Sequence, residues 1–304
     1  MTTAVGSRLV RLDNGECRAL VYPEQGFQLR SFAAPVAGRA GGAPIEAIAA
    51  PVDAREPADR RYGNPVLFPS VGVTHGAEPD RWSHGGRLLP MPQHGLARDA
   101  YWHVEAFDDQ SITGVLAPTT GIRAGFPFSF ELRLRYALAG TALVFTAELA
   151  NRGDEPFPYA FGLHPYLRAP LGDAAGRNNC KVELPAGIRL RSSDSWRTIE
   201  RAPAAAAHIA ASDPELPGSI VLAETGATTL EVGDADAGVA TRVSVDDSET
   251  SFPIWVVWSA SPDAPYVCLE PWTDAPNALN RPGTRALAAG ATHRYRMSIA
   301  LHAI

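Results

Sequence analysis

The chain has 304 residues, 45% of them apolar and 20% charged, which is enough to bury a large core as one or two domains. Its net charge of −6 disfavours a general nucleic-acid or anionic-membrane surface. Residues 1–16 lack the apolar run of a signal peptide, and no stretch of about 18 apolar residues could span a membrane. Three cysteines, Cys17, Cys180 and Cys268, match neither a disulfide framework nor a zinc pattern. We therefore expect a reducing, cytoplasmic compartment.

In chain order, the first distinct segment is residues 36–62, whose Ala, Gly, Pro and Arg predict a loop or an irregular strand connection. Further along, apolar and polar residues alternate strictly in residues 130–136 and again in residues 143–149. The turn signal Ala139-Gly140 lies between these two runs. The pattern predicts a β-hairpin with one buried face.

Helical signals are weak in the second half of the chain. Residues 204–211 could form one or two turns, but prolines flank them, and a surface insertion is the favoured interpretation. Val243 and Val245 mark another strand, and residues 254–258 predict a strand that is buried on both faces. Residues 293–301 alternate as a final strand. Frequent glycine and proline are typical of sandwiches and barrels, so we predict an all-β fold, a large antiparallel β-sandwich.

No repeat of fixed period and no long linker divides the chain. We therefore expect a single domain over residues 1–304. Composition alone leaves the oligomeric state open between a monomer and a homodimer.

Polar residues interrupt apolar, proline-marked strands in residues 88–99, 159–167 and 266–273. His164 and Glu270 each directly precede a proline, which favours extended backbone at the end of a strand. We expect both side chains at the rim of the sandwich, within reach of a ligand. The apolar run before Glu270 would desolvate its carboxylate and raise its pKa towards the range of a general base. A structural role, in the core or in an ion pair with an arginine, is the alternative for either residue.

Four histidines, His75, His84, His94 and His103, lie close together in the sequence. Their separations of nine or ten residues match neither a helical pair nor the short spacing of zinc ligands, so we expect no metal site. The chain also lacks a Walker A loop, a dinucleotide fingerprint and a G-x-S-x-G nucleophile elbow. We therefore expect no cofactor.

Four segments, in chain order, resemble motifs of the aldose 1-epimerase (galactose mutarotase-like) family. Each motif alone has weak to moderate specificity, but four in the right order are specific. They are residues 63–70 (GNPVLFPS), 92–99 (PQHGLARD), 162–166 (GLHPY) and 267–273 (VCLEPWT). The resemblance implies a large antiparallel β-sandwich that interconverts the α and β anomers of an aldose, a small-molecule sugar, without metal or nucleotide.

By this resemblance, Glu270 falls on the catalytic base, His164 on the catalytic acid, and His94 on a histidine that holds the sugar near its ring oxygen. Arg98 and Trp272, which belong to the same motifs, are expected to bind substrate. One group removes the proton of the C1 hydroxyl while the other protonates the ring oxygen; the ring opens, the C1–C2 bond rotates and the ring closes on the other face. We expect the nearby carboxylate to raise the pKa of His164.

Three functions stay open at this point: a mutarotase for free hexoses, a hexose-6-phosphate 1-epimerase, and a non-catalytic carbohydrate-binding or sensor protein. A phosphate would need at least two converging arginines. The candidates are Arg60, Arg61, Arg81 and Arg98, although arginine is abundant throughout this chain. The presence of both members of an acid/base pair argues against a pure binding protein.

One position departs from the family pattern. Family members often carry a sugar-contacting arginine shortly after the first motif, and Val73 occupies its place here. Valine offers no hydrogen-bond donor, whereas the arginine fork offers several. We expect weaker binding of common free hexoses, or a preference for another sugar, unless His75 or Arg81 substitutes for the missing arginine.

Overall fold

A computed structural model of the protein describes residues 9–24, 26–39, 41–50, 62–172 and 176–304. Strands dominate these residues, because the alternating pattern lets each strand bury one face while it exposes the other. No helix in this part of the chain has the length and apolar character needed to cross a bilayer.

Twenty-five strands are present in the described residues, together with one α-helix, Thr120–Gly125, and four short 3₁₀ helices. The 3₁₀ helices are Ala97–Asp99, Arg177–Asn179, Leu216–Gly218 and Ala278–Asn280. The strands are β1 (Val10–Asp13), β2 (Arg18–Tyr22), β3 (Gln28–Ala34), β4 (Ile45–Glu46), β5 (Val66–Leu67), β6 (Arg81–His84), β7 (Arg87–Pro90), β8 (His103–Phe107), β9 (Ser111–Leu116), β10 (Phe130–Ala139), β11 (Ala142–Asn151), β12 (Phe157–Pro158), β13 (Gly162–Leu163), β14 (Tyr166–Arg168), β15 (Cys180–Leu184), β16 (Gly187–Arg191), β17 (Glu200–Ala204), β18 (Ala207–Ala210), β19 (Ile220–Ala223), β20 (Thr229–Asp234), β21 (Val239–Asp246), β22 (Ile254–Trp258), β23 (Tyr266–Trp272), β24 (Ala286–Leu287) and β25 (Thr292–Ala303).

Two large sheets form the body of the molecule. One has nine strands in the order β18-β15-β20-β21-β25-β11-β10-β9-β8, and the other runs β17-β16-β19-β22-β23-β13-β5, with β14 also paired to β23. Their strand pairings are antiparallel. One apolar cluster joins the sheets, with Phe145 and Val243 from the first and Trp255 and Leu269 from the second. The predicted all-β, antiparallel sandwich is confirmed.

The strongest strand predictions are confirmed as well. The predicted hairpin is β10 and β11, which pair from Phe130 with Asn151 to Ala139 with Ala142. The predicted final strand is β25, which lies between β11 and β21 in the middle of the nine-stranded sheet. β22 is buried on both faces over most of its length, as its continuous apolar run predicted.

Of the two segments with weak sequence patterns, residues 204–211 were predicted wrongly and residues 36–62 correctly where they are described. The possible helical turns in residues 204–211 are wrong, because this segment contains the end of β17 and all of β18, the edge strands of the two sheets. An exposed edge strand needs no strict alternation, so its alanine-rich sequence did not reveal the pairing. The irregular connection predicted at 36–62 is confirmed where it is described, with β4 as its one short strand; residues 51–61 lie outside the described part.

The eight-stranded sheet has two differently used faces. Successive side chains of a strand point to opposite faces. On β22 and β23, Trp255 and Leu269 therefore enter the core between the sheets, whereas Cys268, Glu270 and Trp272 face the other way. The second face carries the pocket described below.

Candidate active site

A pocket of about 270 Å³ opens on the second face of the eight-stranded sheet. All five residues that the sequence singled out line it, namely Glu270, His164, His94, Arg98 and Trp272. They come from three segments that are far apart in the chain. The sheet brings them together because β23 pairs with both β13 and β14.

Glu270 lies within β23 and is 1% exposed, opposite Val256 of β22. The prediction that it ends a strand at the rim is wrong, since the strand continues through Pro271 to Trp272. On the other side of β23, β13 pairs only at Trp272 and β14 begins to pair at Cys268. The ladder is therefore interrupted beside Glu270 and Pro271, where a proline that lacks an N–H can be accommodated.

His164 lies in the step between β13 and β14, directly opposite this interruption, so the predicted strand end is confirmed for this residue. Its backbone N–H donates to Pro65 O at 3.1 Å and to Asn64 Oδ1 at 3.2 Å, which ties the step to the first family-like motif. Its Nε2 lies 3.4 Å from Glu270 Oε2. The ring also stacks on Tyr166, with ring centroids 4.7 Å apart.

Burial controls the protonation of this pair. It lowers the pKa of His164 to about 3, an effect to which the charge of Arg98 adds. Burial also raises the pKa of Glu270 well above its usual value, with the Trp272 side chain opposing the shift. The prediction that Glu270 raises the pKa of His164 is therefore wrong, because burial disfavours the imidazolium and outweighs the attraction of a neighbouring carboxyl group.

His94 reaches the pocket through a left-handed backbone conformation, with φ at 65°. Its backbone N–H donates to Gly72 O at 2.8 Å, and its ring Nδ1 accepts from Gly72 N at 3.1 Å. Because Nδ1 accepts, the ring proton lies on Nε2, which is then a donor. Gly95 follows with φ at 76°, and a Cβ there would lie 2.3 Å from Phe68 O, so this turn requires glycine.

Trp272 and Arg98 complete the group of predicted residues. The Trp272 ring lies 5.8 Å from the His94 ring and packs over Gly162, where a Cβ would approach it to 2.6 Å. This close approach explains the glycine in the motif of His164. The side chain of Arg98 is 12% exposed, and its Nε lies 3.5 Å from an oxygen of Asp99. The pocket thus combines one guanidinium with aromatic and imidazole rings.

Sequence reasoning missed several lining residues. Gln93, Trp196 and Ser219 line the pocket, the last two on loops that carried no motif. Val73 lines it too, at the position noted for its missing arginine. Positive φ angles at Trp196 and Ser219 mark strained backbone, a signal that only the folded chain reveals.

Neither residue suggested as a substitute for that arginine lines the pocket. His75 lies at a neighbouring depression, where its N–H donates to Asn277 Oδ1 at 2.8 Å. The nearest carboxylate to Arg81 is that of Glu78, 3.9 Å away on the surface. The suggestion that His75 or Arg81 replaces the arginine in the pocket is therefore wrong.

The four histidines considered for metal binding lie in different surroundings. His84 packs against Trp82 and Phe128, with ring centroids 5.3 and 4.8 Å away, and His103 is exposed on β8. The structure instead brings one ring nitrogen of His164, Cys268 Sγ and one carboxylate oxygen of Glu270 within 4.8 Å of one another. This is the group of the described residues whose donor atoms could hold a metal ion.

A wider groove of about 560 Å³ lies on the nine-stranded sheet, but its chemistry is that of a solvated charged surface. Arg133 pairs there with Glu105 at 2.7 Å, and Arg294 pairs with Glu148 at 2.9 Å. These side chains are roughly half exposed, so each pair contributes little stability. The groove lacks the buried acid/base pair of the other pocket.

Comparisons with known proteins agree with the geometry. A family model described as aldose 1-epimerase matches residues 59–300. Protein LacX (chromosomal) of Lactococcus lactis subsp. lactis is 24% identical over 243 residues, which cover 73% of this chain and 78% of LacX.

Solved structures show the same fold. The Slr1438 protein of Synechocystis sp. PCC 6803 superposes with a TM-score of 0.77 at 22% identity and full coverage of both chains. A galactose mutarotase related enzyme of Lactobacillus acidophilus gives 0.78 at 22% identity, covering 97% of this chain and 98% of that chain. A galactose mutarotase-like protein of Lactobacillus casei ATCC 334 gives 0.76 at 20% identity, covering 97% of this chain and 100% of that chain.

Proposed function

This chain belongs to the aldose 1-epimerase family, and we propose that it interconverts the α and β anomers of an unphosphorylated aldose. The observation that carries the proposal is the buried pair of Glu270 and His164, 3.4 Å apart in the wall of a ligand-sized pocket. At about 270 Å³ the pocket is smaller than the roughly 300–1,000 Å³ typical of drug-sized ligands, which suits a single sugar ring.

The reaction needs one group that accepts the proton of the C1 hydroxyl and another that donates a proton to the ring oxygen. Glu270 takes the first role and His164 the second. After rotation about the C1–C2 bond, the two groups exchange roles as the ring closes. His94 donates from Nε2 to a sugar oxygen, and Trp272 offers a ring face to the sugar.

One proton suffices for this cycle, and burial leaves the pair with one. The lowered pKa of His164 and the raised pKa of Glu270 both favour a neutral imidazole beside a protonated carboxyl group before the sugar binds. Transfer of that proton from Glu270 to His164 gives the carboxylate and imidazolium that ring opening uses. Contacts between the sugar and the charged forms of both groups would favour this transfer.

The charges around the pocket favour a free sugar over a sugar phosphate. Among the described residues, Arg98 is the one lysine or arginine that lines the pocket, whereas a phosphate needs at least two converging cations. Arg81 lies elsewhere, and Arg60 and Arg61 are outside the described residues. Cys17, Cys180 and Cys268 are free and buried, which supports the proposal of a reducing, cytoplasmic compartment.

The test is polarimetric mutarotation of α-glucose, α-galactose and glucose 6-phosphate by wild type and by Glu270→Gln. We expect wild type to act on at least one free hexose and Glu270→Gln to lose about 10²-fold or more of the rate, since a general base contributes on that scale. Glu155→Gln, at an exposed position that does not line the pocket, is the matched control and should retain the wild-type rate.

Three results would contradict the proposal. Near-normal turnover by Glu270→Gln would remove this residue from the mechanism. Preference for glucose 6-phosphate would favour the phosphate enzyme instead. Sugar binding without mutarotation of any substrate would indicate a carbohydrate-binding protein on the same fold.

A further inference from the structure

Three side chains with metal-binding atoms meet beside the pocket. One ring nitrogen of His164, Cys268 Sγ and one carboxylate oxygen of Glu270 all lie within 4.8 Å of one another. Cys268 and Glu270 are separated by one residue on β23, so they share a face of the sheet. The step between β13 and β14 brings His164 to the same point.

The spacing is close to that of a real coordination sphere. Zinc binds imidazole nitrogen, carboxylate oxygen and thiolate sulfur at about 2.0–2.3 Å in tetrahedral geometry, so its ligand atoms lie about 3.3–3.8 Å apart. His164 Nε2 and Glu270 Oε2 already have this separation, at 3.4 Å. A movement of about 1 Å brings the sulfur into range. A mixed N, S and O donor set suits zinc or cadmium and does not suit magnesium or calcium.

An unsatisfied polar atom at the same place also points to a ligand. His164 is 6% exposed and Glu270 1%, yet Glu270 Oε2, the atom 3.4 Å from His164 Nε2, has no hydrogen-bond partner among the described residues. Buried polar atoms rarely lack partners. Because both residues line the pocket, an ion held by them reaches solvent and can take water as its fourth ligand.

We propose that His164, Cys268 and Glu270 form a binding site for one zinc-like divalent cation, and that the bound cation blocks the acid/base pair. The ion replaces the thiol and carboxyl protons, which leave to solvent, and it occupies the lone pairs that proton transfer requires. Cation binding does not rest on the proposed epimerase activity; the inhibition does.

Cadmium titration of chelator-treated protein tests the binding, because a cadmium–thiolate bond has an ultraviolet charge-transfer band. We expect wild type to bind one Cd²⁺ per chain with this band, and Cys268→Ser to lose the band and bind at least tenfold more weakly. Cys180→Ser is the matched control, because Cys180 is equally buried but lies on β15, outside the group. Glu270→Gln should keep the band and weaken binding, and circular dichroism should show that each variant is folded.

Zn²⁺ inhibition of mutarotation tests the consequence, with each rate expressed relative to the same protein without metal. We expect inhibition of wild type and of Cys180→Ser that is reversed by EDTA, and at least tenfold lower sensitivity in Cys268→Ser. Absence of the charge-transfer band in wild type, or equal bands in both cysteine variants, would overturn the site. Tight binding of the cation without inhibition of mutarotation would overturn the proposal that the cation blocks the acid/base pair. If no sugar is epimerised, the proposed function fails while the cadmium band still decides the site.

Discussion

Glu270 and His164 lie 3.4 Å apart at 1% and 6% exposure, and this burial opposes the formation of charge on both. Carboxylate with imidazolium, and carboxylic acid with imidazole, differ only in where one proton lies. Burial favours the neutral form, because a low-dielectric environment solvates two ions poorly. In the proposed reaction, contacts with the sugar would therefore have to favour transfer of this proton from Glu270 to His164.

The stability of the fold should depend on pH through both groups. Above pH 4.5, the usual pKa of Glu, the folded chain holds a Glu270 proton that the unfolded chain loses, so stability falls as pH rises. Between pH 6.5 and about 3, the unfolded chain gains a His164 proton that the folded chain excludes, so stability falls as pH drops. The Glu270→Gln substitution removes the first effect only.

We therefore predict that Glu270→Gln melts at or above the wild-type temperature, by a margin that grows from about pH 5 to about pH 8. Thermal unfolding at several pH values measures this margin. The exposed Glu155→Gln control should show a margin that is independent of pH. A constant or shrinking margin for Glu270→Gln would show that this carboxyl group does not retain its proton in the folded protein.

At the scale of elements, the loops around the pocket carry strained backbone. His94, Trp196 and Ser219 all line the pocket with φ between 63° and 65°, a region that costs non-glycine residues about 1 kcal/mol or more. Trp196, in the loop between β16 and β17, is held by two hydrogen bonds. Its backbone N–H donates to Ser192 Oγ of the same loop at 2.8 Å, and its carbonyl oxygen accepts from Nδ2 of Asn277, after β23, at 3.3 Å. These hydrogen bonds hold the strained backbone in place and so fix the position of the indole at the pocket.

We predict that Trp196 contributes a stacking surface for the sugar. Trp196→Gly should raise KM roughly tenfold with little change in kcat, because it removes ground-state contact and leaves the acid/base pair intact. It should also remain folded, since glycine adopts the positive φ without strain. Mutarotation kinetics and thermal melting measure both effects.

Ser195→Gly is the matched control for this loop, because Ser195 also has a positive φ, at 61°, but does not line the pocket. It should leave KM unchanged. Equal KM values for Trp196→Gly and wild type would mean that the strained loop serves only the fold.

At the scale of the whole molecule, the C-terminal strand lies at the centre of the nine-stranded sheet and joins β11 to β21. The apolar cluster that contains Leu301 of β25 also contains Trp255 and Leu269 of the other sheet. A core shared by both sheets favours unfolding as one cooperative unit. This supports the prediction of a single domain over residues 1–304, which the cooperativity of denaturation can test.

We predict that Leu301→Ala, which truncates a fully buried side chain, destabilises the protein by about 2–5 kcal/mol. Far-ultraviolet circular dichroism and tryptophan fluorescence should report the same shifted urea midpoint. The comparison is informative because Leu301 lies in the nine-stranded sheet, whereas most pocket tryptophans belong to the other sheet. Ala303→Ser, at an exposed position of the same strand, should leave the midpoint unchanged. Two separate transitions would indicate that the sheets unfold as separate domains.

The sequence by itself determined the long strands and the chemical types in the pocket. Alternation in β10, β11 and β25 follows from the two-residue period of side chains on a sheet, which is a local property. The glycines and prolines that mark the motifs of His94, His164 and Glu270 are likewise visible in the sequence beside each residue. These motifs identified five residues by chemical type, and all five line one pocket.

Only the tertiary structure decided how those residues meet and which proton they hold. The 3.4 Å approach of His164 to Glu270 depends on an interruption in the pairing of β23 with β13 and β14. Local periodicity predicts strands but does not predict which strands pair with each other. The lowered pKa of His164 depends on burial by distant residues, which outweighs the attraction expected from a neighbouring carboxylate. Trp196 joined the site through the fold as well, because its loop is far from Glu270 in the sequence. Cys268 shares a face of β23 with Glu270 by local strand geometry, but only the long-range pairing of the sheet brings His164 to both.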